Sequence, residues 1–147
     1  MLGGPVERRG RLRYINQCSD TTLVQPVRRG DPCLNLLYFP PDIYQTAHTH
    51  PSDRIGVVVS GRGSCHVGRE NFKVPLNPGT IFHIEPECLH RFSTDAGEEL
   101  RVIAYHPDSD CGPDDDNHAM INRTIVDGVA ARNIPDIRTV GLDTLER

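Results

Sequence analysis

The chain has 147 residues, 37% of them hydrophobic and 24% charged. That is room for one domain, with enough apolar content to build a core without disulfides or a structural metal. The composition excludes a disordered chain, the lack of any long apolar run excludes a membrane-spanning helix, and 13 Gly with 12 Pro exclude a coiled coil. No basic segment followed by an apolar one opens the chain, so no secretory leader is expected and a cytoplasmic protein is. Residues 1–93 carry 11 basic and 8 acidic groups, and residues 94–147 carry 5 and 12. Neither half presents a basic face or a nucleic-acid-binding motif, so neither nucleic acid nor membrane is an expected partner. Five cysteines, at 18, 33, 65, 88 and 111, have no metal-knuckle or redox spacing and read as reduced thiols.

Residues 1–33 form an Arg-rich N-terminal extension with short strands predicted at Arg13–Asn16 and Leu23–Gln25. The core, about 34–107, reads as eight short strands: Leu34–Phe39, Gln45–Thr49, Ile55–Ser60, Ser64–Val67, Asn71–Val74, Thr80–Ile84, Arg91–Ser93 and Leu100–His106. Pro40-Pro41, Gly61, Gly63, Gly68, Asn77-Pro78-Gly79 and Asp95-Ala96-Gly97 punctuate them. Short strands separated by Gly and Pro turns indicate an all-β sandwich or barrel. Residues 108–147 are an acidic loop and a C-terminal tail. The loop lacks the glutamate a calcium loop requires and reads as solvated. The tail's apolar clusters (Ile121, Ile125, Val126; Ile134, Ile137, Val140, Leu142, Leu145) are expected to pack back on the barrel or on a second subunit.

The histidines carry the chemistry. On a strand, residues two apart face the same side, so His48 and His50 of His48-Thr49-His50 point together and can share one metal ion. A third, His90, follows a second turn and strand about forty residues on. Around them the order is Asp42, five residues, His48-Thr49-His50, three residues, Arg54, six residues, Gly61. A second stretch runs Gly79, five residues, Glu85-Pro86-Glu87, two residues, His90, three residues, Thr94. These resemble the two motifs of the cupins, closely over residues 42–94 and more loosely over 34–107. The resemblance implies a double-stranded β-helix, or jelly-roll, barrel forming one domain with flanking N- and C-terminal segments.

Four departures alter turns: Asp42 and Glu87 stand where the family has Gly, Glu85 where it has Pro, and Thr94 where it has Asn. The fifth alters chemistry. Arg54 occupies the place of the family's metal-binding Glu, and a guanidinium has no lone pair to offer a metal. Three readings follow. The site is His48, His50 and His90 alone, similar to the three-histidine cupin dioxygenases; or a bulge turns Asp53 inward as a fourth ligand; or metal binding is lost. In the first reading a divalent ion lacks a compensating charge. An inward Arg54 would then make the pocket cationic and recruit a carboxylate or phosphate. The competing role for Arg54 is a structural ion pair with Asp53, Glu85, Glu87 or the acidic tail.

His106 ends the last core strand at the pocket mouth and is a candidate general base. Cys65 is expected to face the interior, His66 and His83 solvent, and Cys88 the turn before His90. Tyr44 and Tyr105 are candidates to line the cavity or to pack. The functional expectation is a metal-dependent enzyme on a small anionic substrate, dioxygenase-like, with one divalent ion. Iron is the first choice, and manganese, nickel, zinc or copper the alternatives. An isomerase, lyase or cyclase, or a non-catalytic ligand-binding module, is the alternative function. Cupins commonly pair through flanking strands, so a homodimer is expected.

Overall fold

The computed structural model describes residues 6–114 and 116–139; Val140, Leu142 and Leu145 of the tail lie outside them. Nine strands make the body: β1 (Leu12–Arg13), β2 (Ser19–Val24), β3 (Cys33–Phe39), β4 (Arg54–Gly61), β5 (Gly63–Val67), β6 (Phe72–Leu76), β7 (Ile81–Ile84), β8 (His90–Thr94) and β9 (Leu100–His106). They form a six-stranded sheet, β1-β2-β3-β9-β4-β7, and a three-stranded sheet, β6-β5-β8, all antiparallel. This is the expected all-β jelly roll.

The predicted strand Gln45–Thr49 is instead an irregular segment. It runs beside β8 and touches it at two isolated bridges, Tyr44 with Ser93 and His48 with His90. Gln45 replaces the missing ladder. Its amide oxygen accepts from the Phe92 N–H at 3.2 Å, its own N–H donates to the Phe92 carbonyl at 2.9 Å, and its Nε2 lies 3.3 Å from Cys18 Sγ. That accounts for a glutamine only 1% exposed.

Strand alternation sorts the side chains. Opposed residues of an antiparallel pair share a face. The interior rows therefore hold Cys33 and His106; Asn35, Ala104, Gly56 and Phe82; Leu37, Val102 and Val58; and Phe39 and Leu100. Phe39, Val58, Cys65, Leu76, Phe92, Leu100 and Val102 form the core. The Phe92 ring lies 5.1 Å from Phe39 and 5.7 Å from Phe82. Gly56 is required because a Cβ there would overlap the Phe82 ring. His66 does not face solvent as predicted. It is 8% exposed, with Nε2 2.9 Å from Ser93 Oγ and Tyr44 packed edge-on over the ring. The outer side of the small sheet is thus covered at His66 by the Tyr44 ring, which simple alternation does not anticipate.

Two of the family's glycine positions keep the backbone shape of glycine with a different residue. Asp42 has φ 59° and Glu87 has φ 58°. Asp42 is offset by its carboxylate, which accepts from the Gly97 N–H at 3.2 Å. Glu87 has only a 3.3 Å hydrogen bond from the Thr49 hydroxyl. A left-handed non-glycine residue costs about 1 kcal/mol or more. Glu87→Gly is therefore expected to raise the thermal midpoint by about 2–4 °C for each kcal/mol recovered, read by calorimetry.

The acidic loop packs on the turn after β2. The N–H groups of Arg29 and Gly30 donate to the carbonyls of Pro113 and Ser109 at 2.8 and 2.7 Å. Beyond it a one-turn helix, α1 (Ala119–Arg123), and a hairpin, β10 (Ile125–Val126) with β11 (Val129–Ala130), pack chiefly on each other and on a short 3-10 turn. Among the described residues no helix is long and apolar enough to cross a membrane.

Candidate metal centre

His48, His50 and His90 meet at one end of the barrel, above the aromatic core. Their ring centroids are 4.5–5.1 Å apart, and one ligand atom from each lies within 4.8 Å of the others. Reciprocal 2.9 Å backbone hydrogen bonds join His48 to His90. Backbone carbonyls set the ring tautomers. His48 Nδ1 is 2.9 Å from the Thr46 carbonyl and His90 Nδ1 is 2.9 Å from the Cys88 carbonyl. A carbonyl only accepts, so each Nδ1 carries the proton and each Nε2 a lone pair. His90 Nε2 is buried with no partner. This is the arrangement a metal-ligating imidazole requires: one nitrogen anchored, the other free and aimed inward. Burial, the Arg54 charge and the neighbouring imidazoles hold His50 down to about 3, and burial lowers His90 too, so both rings are neutral at physiological pH, the form that can ligate a metal. The residues fit a divalent ion.

Asp53 is not with them. Its carboxylate is 2.6 Å from His83 Nε2, on the outer side of the strand. No bulge forms before β4, so the alternation that turns Arg54 inward turns Asp53 outward. Arg54 stands opposite Ile84 and lines a cavity of 170 Å³ together with the three histidines. Its Nη1 donates to the Ser52 carbonyl, the Ser52 hydroxyl and the Asp53 carbonyl at 3.2, 2.7 and 2.8 Å. Ser52 Oγ in turn meets Asp108 of the acidic loop, whose carboxylate is 3.9 Å from Nη1. Arg54 thus faces the cavity and also pairs with the acidic loop through Asp108. Nε is buried with no partner.

His106 also lines the cavity. Its Nδ1 accepts from the Asn35 amide at 3.5 Å, and burial beside Arg54 lowers its pKa to about 4. Leu37, Phe39, Phe82, Ile84, Phe92 and Ala104 supply an apolar floor and walls.

A cupin domain is matched over residues 35–106, the span that carries all three histidines. The chain belongs to the cupin superfamily. No curated protein matches this cupin. Among solved structures it is similar to a cupin-like protein from Thermotoga maritima (21% identity, TM-score 0.60, covering 75% of this chain and 86% of that one). It is also similar to the polyketide cyclase RemF from Streptomyces resistomycificus (18%, 0.58, 66% and 69%). A third likeness is to a structure described as DMSP lyases RdDddP and RnDddQII (21%, 0.56, 69% of this chain and 53% of that one). At these identities the likeness is one of fold.

Two polar residues of this cupin's chamber lie outside the matched span and were not among the predicted site residues. Tyr14 places its hydroxyl 3.1 Å from His48 Nε2, where it donates to the lone pair that a metal ion would take in its place. Asp20 stands opposite Leu37 on β2 and lines the same chamber, with Oδ1 buried and unpartnered. No local pattern marks either. Both depend on the N-terminal extension folding across the barrel end, although Asp20 follows once the β2–β3 register is known. The predicted tyrosines are elsewhere: Tyr44 is 53% and Tyr105 41% exposed, and neither lines the chamber. Cys65 is in the core, away from the chamber, with its thiol pushed up to about 12 by burial, which makes it unreactive. Cys88 contributes its carbonyl.

Burial raises Asp20 from 3.8 to about 6. The folded chain therefore binds more protons here than the unfolded chain between those values, and stability falls as pH rises through them. Asp20→Asn is expected to stabilise the protein above pH 6 by about 1 kcal/mol, a full two-unit shift discounted for solvent screening. Near pH 4 it should change little. Urea unfolding at the two pH values reads the difference.

Proposed function

We propose that this cupin is a metal-dependent enzyme acting on a small anionic organic molecule, with a dioxygenase-like three-histidine site. The observation that carries this reading is the convergence of three imidazoles, one with a buried, orphaned nitrogen, in a cluster that no carboxylate joins among the described residues. A divalent ion bound there would supply Lewis-acid polarisation of a substrate oxygen and, if it is iron, oxygen chemistry. The chain's own residues do the rest. Apolar walls exclude water, Arg54 attracts negative charge, and His106, whose Nδ1 accepts from the Asn35 amide so that Nε2 carries the proton, presents an N–H donor to the chamber.

A second reading, a metal-dependent cyclase, lyase or isomerase, is supported by the fold likeness to a polyketide cyclase and to DMSP lyases. Metal content of untagged protein by mass spectrometry separates the two. Near one equivalent of iron, with oxygen uptake on adding substrate, is expected for the oxygenase. Zinc, nickel or manganese moves the reading to cyclase, lyase or isomerase chemistry. No metal in a folded protein contradicts both and leaves a ligand-binding module. The homodimer belongs to the same reading: Ile55, Ile81 and Tyr105 are 44%, 75% and 41% exposed on the large sheet's strands. A lone monomer peak in light scattering contradicts it.

A further inference from the structure

Three buried polar atoms without a partner belong to residues lining one chamber: His90 Nε2, Arg54 Nε and Asp20 Oδ1. Buried polar atoms are nearly always paired, so three around one small cavity describe what the cavity is built to receive. The first is a lone pair, directed at the metal position. The second can only donate, because a guanidinium has no acceptor. The third, on an ionised carboxylate, can only accept. Arg54 and Asp20 do not satisfy each other: among the described residues the only ion-pair partner of Arg54 is Asp108, reached through Nη1. The Nη1 contacts with Ser52 and Asp53 hold the guanidinium still and leave its Nε edge without a protein partner. That edge presents parallel N–H groups, the geometry that receives a planar carboxylate.

The cavity's 170 Å³ is close to the roughly 150 Å³ of a cavity that receives benzene, hence a molecule of about six non-hydrogen atoms. Phe39, Phe82 and Phe92 give it walls for a short carbon body. Asp20 opposes a second negative charge on the ligand, which favours a monoanion over a phosphate.

We propose that the chamber binds a small hydroxy-carboxylic acid, its carboxylate on the Nε edge of Arg54 and its hydroxyl donating to Asp20. This rests on the reading of the three histidines as a metal site only in so far as the ligand lies beside that ion.

The test uses the full chain loaded with nickel(II), which suits imidazole and keeps oxygen chemistry out of the titration. Lactate, propionate and lactamide are titrated in by calorimetry. Propionate lacks the hydroxyl and lactamide lacks the charge. Lactate is expected to bind at least about tenfold more tightly than either, the usual effect of one hydrogen bond to a charged group. Arg54→Gln should erase the preference over lactamide and keep the preference over propionate; Asp20→Ala should do the reverse. The wild-type ratios stand even if a variant fails to fold. Equal affinities for the three, or no binding with nickel in place, overturn the proposal and leave the metal site standing. If wild-type protein takes up no nickel, the metal reading fails, and the same ratios in metal-free protein decide the Arg54–Asp20 site alone.

Discussion

His90→Ala is expected to weaken divalent-metal affinity more than about a hundredfold, since even residues that only support a ligand cost ten- to a hundredfold. His90 is the ligand with least freedom to be replaced. It is 1% exposed, its Nδ1 is held by the Cys88 carbonyl, and its backbone is tied to His48 by two hydrogen bonds. Among the described residues no fourth ligand group joins the three histidines, and water reaching so enclosed a position would not restore the ligand field. Two controls sharpen the result. Asp53→Asn and His83→Ala alter the exposed pair on the outer side of the strand, so both should leave metal affinity unchanged. A loss of affinity in Asp53→Asn would revive the fourth-ligand reading. Competition titration against a chromogenic chelator measures all three variants on one scale.

Gly61→Ala is expected to destabilise the fold by about 3 kcal/mol, combining a left-handed backbone penalty with overpacking. Gly61 closes β4 at φ 83°, and a Cβ there would overlap the carbonyl oxygen of Glu99, on the segment entering β9. Backbone cannot move aside as a flexible side chain can. Gly79→Ala is the matched control. Its φ is 87°, but nothing lies within 4 Å of an added Cβ, so only the backbone penalty of about 1 kcal/mol applies. The threefold difference in the shift of the denaturant midpoint from wild type separates steric demand from conformational demand at two glycines the motif treats alike.

Much of this architecture was legible because it is local. His48-Thr49-His50, the turn glycines and the β4 alternation that turns Arg54 inward each depend on neighbours within a few residues. Asp42 and Glu87 read as departures that alter turns, yet the backbone keeps the left-handed conformation at both. What could not be read was non-local. Tyr14 and Asp20 reach the chamber only because β1 and β2 extend the large sheet across its mouth, a docking that no periodicity encodes. His66 is hidden for the same reason, since the Tyr44 ring that covers it comes from a segment joined to β8 by two bridges rather than a ladder. The partial free edge of Arg54 was also out of reach, because it depends on Ser52 and Asp53 turning their oxygens toward Nη1.

The most direct test of the three-histidine centre is anomalous diffraction from crystals of the metal-loaded protein, recorded at the absorption edge of the bound ion. One peak per chain is expected, about 2.1 Å from a ring nitrogen of each of His48, His50 and His90, with no contact to Asp53. A peak at any other position, or none in crystals of protein soaked with excess metal, would contradict the account.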